Sequence, residues 1–84
     1  MKYKGAKMDK IYSIYSYFDQ NLRELCNSYK TNSWDNLVNF AHKELTDGNF
    51  VKLINNHNGK NIVISPKEYF EEFDGELIIN INDL

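Results

Sequence analysis

The chain is poor in the residues that build rigid chemical sites: one cysteine, one proline, one tryptophan, two histidines and four glycines in 84 residues. A lone Cys26 excludes an internal disulfide framework and any zinc site made from a cysteine cluster. No apolar run approaches the roughly 18 residues that a membrane-spanning helix needs. The N-terminal MKYKGAKMDK is basic, as a secretory signal would start. The following IYSIYSYFDQNLREL is broken by polar and charged residues and leads to no small-residue cleavage site. The expected location is therefore cytoplasmic. There is no HExxH, no Gly-rich phosphate loop and no EF-hand series, so neither a metal nor a cofactor is expected.

What is present suits one folded unit. Hydrophobic residues make up 42 %, charged residues 26 %, and the formal net charge is -2. That is too apolar and too balanced for a disordered chain, and too short for two hydrophobic cores. The charge is unevenly placed. Residues 1–64 carry nine basic and six acidic side chains, and residues 65–84 carry one basic and six acidic. Asn, Ile, Lys and Tyr supply 35 of the 84 residues, a usage that accompanies AT-rich coding DNA. It points to a low-GC bacterium, its phage or a mobile element.

Residues 1–7 hold Lys2, Lys4 and Lys7 with little apolar company and are expected to be a flexible basic arm, with Met8 an alternative start. Residues 8–84 are expected to form a single compact α+β domain. Ile11, Ile14, Tyr15, Phe18, Leu22, Leu25, Cys26 and Tyr29 follow a 3.6-residue stripe, which predicts a long first helix. Thr31-Asn32-Ser33 breaks it, and Ser33 can cap a second helix whose stripe is Trp34, Leu37, Val38, Ala41 and Leu45. Asp47-Gly48 is its stop.

Phe50–Ile54 and Asn61–Ile64 flank Asn58-Gly59 and predict a β-hairpin. A two-residue Asn-Gly turn would set Leu53 opposite Ile64 and Ile54 opposite Val63. Val51, Leu53, Ile62 and Ile64 would share one face; Phe50, Ile54 and Val63 would share the other. Ser65-Pro66-Lys67-Glu68 has the cap, N1 proline and N3 glutamate of a third helix, ended by Asp74-Gly75. Glu76 to Asn82 alternates as a last strand. The expected order is ααββαβ, with a small three-stranded sheet packed against two longer helices.

Few residues suggest chemistry. Nucleophilic catalysis would need Cys26 exposed and His42 or His57 brought beside it, and their spacing does not require that. Cys26 is best accounted for as a small core residue, His42 as a helix-end residue and His57 as a turn residue. Glu68, Glu71, Glu72, Asp74 and Glu76 form a dense acidic cluster. Such carboxylates can enter a basic groove that otherwise receives phosphates.

The expected role is a non-enzymatic protein-interaction module. Its specific form is a phage- or mobile-element-encoded inhibitor of a host or defence protein. The five acids are the contact residues, with Tyr12 and Tyr17 as apolar anchors. A protein partner is expected, and pairing as a homodimer is left open.

Two alternatives stand beside it. One is a small nucleic-acid-associated regulator that contacts phosphates through Lys2, Lys4, Lys7 and Lys10. Direct nucleic-acid binding is the weaker expectation, because the second helix offers only Asn36, Asn39, His42 and Lys43 for base contacts. The other is a small enzyme using Cys26 or a buried carboxylate.

Overall fold

The computed structural model of the chain describes residues 11–76 and Leu84. Ile11-Tyr12-Ser13-Ile14-Tyr15-Ser16-Tyr17 is rich in β-branched and aromatic side chains, which favour extended backbone. Its last six residues form strand β1, Tyr12–Tyr17. A short loop then turns the chain. The Asp19 carboxylate accepts the backbone N–H groups of Arg23 and Glu24, each at 2.9 Å. These bonds, that from Glu24 foremost, hold the Asp19 carboxyl below its ordinary value. Leu22 takes a left-handed φ of 58° within the loop. The chain returns as β2, Leu25–Thr31, antiparallel to β1 with a register shift between Ser16 and Tyr17.

This hairpin replaces the predicted first helix. Apolar residues in Ile11–Tyr29 are dense enough to satisfy a period of 3.6 and a period of 2 together. The Asp19 turn and the ladder to a neighbouring strand decide between them, and both lie outside any periodicity argument.

Helix α1, Trp34–Thr46, begins where expected: the Ser33 hydroxyl accepts the Asn36 N–H at 3.2 Å. Asp47 caps its far end, and Gly48 follows at φ 88°. Strands β3, Phe50–Asn55, and β4, Asn61–Ile64, form the second hairpin. Its register differs from the expected one. Leu53 lies opposite Ile62, and Ile54 opposite Asn61. The loop is longer than Asn58-Gly59 because Asn55 accepts the His57 N–H and Asn58 accepts the Lys60 N–H, both at 2.8 Å. The slip is two residues, so every side chain keeps its predicted face. Helix α2, Pro66–Glu71, starts with the Ser65 hydroxyl accepting the Glu68 N–H at 3.0 Å. It ends earlier than the expected Asp74-Gly75 stop: Glu72 is its C-cap, and Asp74 and Gly75, at φ 54° and 76°, belong to the turn that follows.

The order is therefore ββαββα, with a four-stranded antiparallel sheet arranged β2-β1-β3-β4. The expected ααββαβ order and three-stranded sheet are both corrected: the first predicted helix is a strand pair, which supplies the additional strands. Residues 1–7 and the predicted strand after Glu76 lie outside the described residues.

Both helices lie on one face of the sheet. Ile14, Val51, Leu53 and Ile64 point inward and meet Leu37, Ala41 and Leu45 of α1 and Tyr69 of α2. Tyr12 packs edge-on against Trp34 at 5.5 Å, and Tyr29 stacks on Phe40 at 5.0 Å. Adjacent residues of β1 should therefore differ sharply in their importance to stability. Ile14→Ala is expected to lose about 2–5 kcal/mol, and Tyr15→Ala about 1 kcal/mol or less. Urea unfolding followed by Trp34 fluorescence measures both, and equal losses would contradict the assignment of faces.

Candidate functional site

Glu44 sits on the buried side of α1, between Ala41 and Leu45 in the sheet-facing surface, and is only 3 % exposed. Its Oε1 accepts the Ser16 hydroxyl at 2.7 Å and the Asn49 side-chain amide at 3.2 Å. The Cys26 sulfur lies 3.9 Å from the same oxygen and 3.6 Å from the Asn49 amide nitrogen. Asn49 also donates its backbone N–H to the Glu44 carbonyl at 3.0 Å. Ser16 comes from β1, Cys26 from β2, and Asn49 from the link between α1 and β3. One carboxylate thus ties the helix to two strands.

This cluster has the residue types of a nucleophilic site but not its geometry. A catalytic thiol needs a base within hydrogen-bond reach, about 2.6–3.2 Å, and an open approach to sulfur. Here the carboxylate oxygen nearest Cys26 is already occupied by a hydroxyl and an amide. Neither histidine joins it. His42 is exposed and its Nδ1 lies 2.6 Å from the Tyr69 hydroxyl. His57 is exposed in the β3–β4 loop. The arrangement satisfies buried polar groups and orients α1 on the sheet. Among the described residues, no group of three or more His, Cys, Asp or Glu could hold a metal ion.

The His42–Tyr69 contact joins the two helices. Tyr69 is 1 % exposed. Burial pushes its phenol above the ordinary tyrosine value, and the negative charge of Glu76 pushes it in the same direction.

The predicted contact residues are dispersed. Glu71, Glu72, Asp74 and Glu76 are exposed on α2 and the turn after it, while Glu68 is half-buried. Glu68 lines a groove of about 240 Å³ with Ile62, Val63, Ile64 and Phe73. Tyr12 is 5 % exposed and belongs to the core. Tyr17 is half-buried on the opposite side of the sheet. The two tyrosines therefore share no surface with each other. Lys2, Lys4, Lys7 and Lys10 lie outside the described residues.

Sequence reasoning placed Cys26 on a helical stripe; it stands on β2, half-buried beside Glu44. It missed Ser16, Glu44 and Asn49. The available signal was a glutamate at a position that the stripe of Leu37, Ala41 and Leu45 turns inward. It also missed Phe70, whose side chain is 46 % exposed among the acids of α2. No helix among the described residues is long and apolar enough to cross a membrane. No family model, curated protein or solved structure matches the chain.

Glu44→Ala should lower stability by about 2–4 kcal/mol, because it strands buried donors as well as removing contacts. Glu44→Gln keeps an acceptor oxygen and should lose less; urea unfolding of both variants measures the difference. Tyr69 sets an alkaline limit. Its folded-state value is raised, so the unfolded chain releases the phenol proton first as pH climbs past 10.0. The stabilisation is whole below that pH and should decline as pH rises toward the folded value. Urea midpoints measured from pH 8 to 11.5 should show that decline, and Tyr69→Phe should remove this component of it.

Proposed function

We propose that the domain acts by non-covalent binding, presenting α2 and the turn that follows it to a basic surface on another protein. The observation that carries this reading is the setting of Phe70. Phe70 is 46 % exposed, and Glu71, Glu72, Asp74 and Glu76, which follow it within six residues, are exposed as well. Among the described residues, no lysine or arginine forms an ion pair with these carboxylates. An exposed ring can fill a pocket and supply most of the affinity, while surrounding charges steer the approach and select the partner.

The sequence-level anchors are revised accordingly. Tyr12 is spent on Trp34 and the core, and Phe70 takes the place of an apolar anchor. Binding of this kind occupies a surface and needs no turnover. Small size, clustered carboxylates and AT-rich residue usage extend the proposal to a stoichiometric inhibitor carried by a phage or mobile element. Its target would be a groove that otherwise receives phosphates.

The test compares tagged wild-type chain with Phe70→Ala and with a Glu71→Gln, Glu72→Gln, Asp74→Asn variant. Each is first checked for unchanged circular dichroism, and capture is from nuclease-treated host lysate. A protein partner held at fixed stoichiometry is then purified and titrated against each variant. Phe70→Ala is expected to weaken binding by roughly tenfold or more. Neutralising the acids should slow association and flatten its dependence on salt. Undiminished affinity in both variants would remove this surface from the function.

A further inference from the structure

We infer that the sheet face turned away from both helices binds single-stranded nucleic acid, with bases stacking on Tyr15, Tyr17 and Phe50. This surface is separate from the α2 surface, and the inference does not rest on that reading.

Strand register assembles the platform. Tyr17 of β1 lies directly opposite Phe50 of β3, and Tyr15 lies opposite Lys52. Cross-strand neighbours on one face have Cβ atoms about 4.5–5.5 Å apart, so the rings and the ammonium group form one patch. The three rings belong to β1 and β3, the two central strands of the β2-β1-β3-β4 sheet. All three are half-buried, and α1 and α2 pack on the other side.

Charge is segregated in the same sense. The four strands contain no Asp or Glu at all, and their two lysines, Lys30 and Lys52, both fall on this face. Glu44, the carboxylate that bonds to β1 through Ser16, comes from α1 and is buried on the opposite side. Asp19 and Glu24 stand at the end of the face, in the β1–β2 loop, and the Asp19 carboxylate is turned onto its own backbone.

These features select the occupant. A second copy docked face to face would gain no ion pair between the strands, which carry Lys30 and Lys52 and no carboxylate. A double helix keeps its base faces stacked internally, leaving the rings nothing to stack on. A single strand supplies open base faces for the rings and phosphates for Lys52 and Lys30. Stacking of this kind is tolerant of sequence, and its ionic part weakens with salt.

The test is fluorescence anisotropy of labelled oligothymidylate and oligouridylate, each of about 15 nucleotides, against the full chain. Saturable binding is expected, with duplex of equal length bound at least tenfold more weakly. Two phosphate contacts predict a slope of about -1.4 in log affinity against log salt. Tyr17→Leu and Phe50→Leu, which keep apolar bulk, should each weaken binding at least fivefold at matched thermal stability. Tyr17→Phe should retain it.

A variant with Lys2, Lys4, Lys7 and Lys10 changed to Gln separates the sheet from the N-terminal lysines. If that variant still binds and still depends on Tyr17 and Phe50, the sheet face is the site. Binding lost in that variant but unchanged by the ring substitutions would overturn the inference. So would the absence of oligonucleotide binding by the unaltered chain; a dimer, seen by light scattering, that Tyr17→Leu dissociates would then assign the face to self-association.

Discussion

Burial of one sheet face beneath α1 is the constraint on which the rest of this structure depends. Leu37, Ala41 and Leu45 can leave water only against Ile14, Val51, Leu53 and Ile64, which come from three different strands. Because β1 is central, holding β2 on one side and β3 on the other, the direction of each β1 side chain sets what both sheet faces present. Ser16 then points at Glu44, and Tyr15 and Tyr17 point away from it. A slip of one residue would exchange these roles and bring the aromatic rings into the core.

Glu44 makes the packing specific. Apolar surfaces are non-directional and would tolerate small rotations of a helix across a sheet. A buried carboxylate tolerates much less, because its oxygen must meet the Ser16 hydroxyl and the Asn49 amide. The His42–Tyr69 contact performs a similar task between the helices, at a site open to solvent on its histidine side. Polar contacts thus fix the orientation that apolar burial drives.

The same layering separates the charges. Strands that pair across a sheet and bury one face draw on β-branched, aromatic and small residues, and these four strands hold no carboxylate. Half of the ten described acids, Glu68, Glu71, Glu72, Asp74 and Glu76, lie within nine residues on α2 and its following turn, and all but Glu68 are exposed there. The sheet surface turned away from the helices is therefore aromatic and lysine-bearing, whereas the surface of α2 and its following turn is acidic.

Signals closed within a few residues were legible in the sequence. Ser33 and Ser65 cap their helices, and Gly48 follows the end of α1, because capping is a bond between a side chain and backbone three residues away. The faces of β3 and β4 were legible too, since alternation survives a two-residue slip. Residues 12–31 were misassigned because their apolar density fits helix and strand alike. β1 gains its second partner only by pairing with β3, whose residues lie 33 to 43 positions further along in sequence. The convergence of Ser16, Cys26, Glu44 and Asn49 was hidden for the same reason: no spacing rule joins four residues from separate elements. The sequence by itself determined where both helices begin and where α1 ends, the face of each later strand and the acidic concentration after residue 65, through local bonds and composition. The tertiary structure alone decided that the first segment is a hairpin, that Glu44 is buried and that Tyr15, Tyr17 and Phe50 share a surface, because each follows from contacts between residues far apart in the chain.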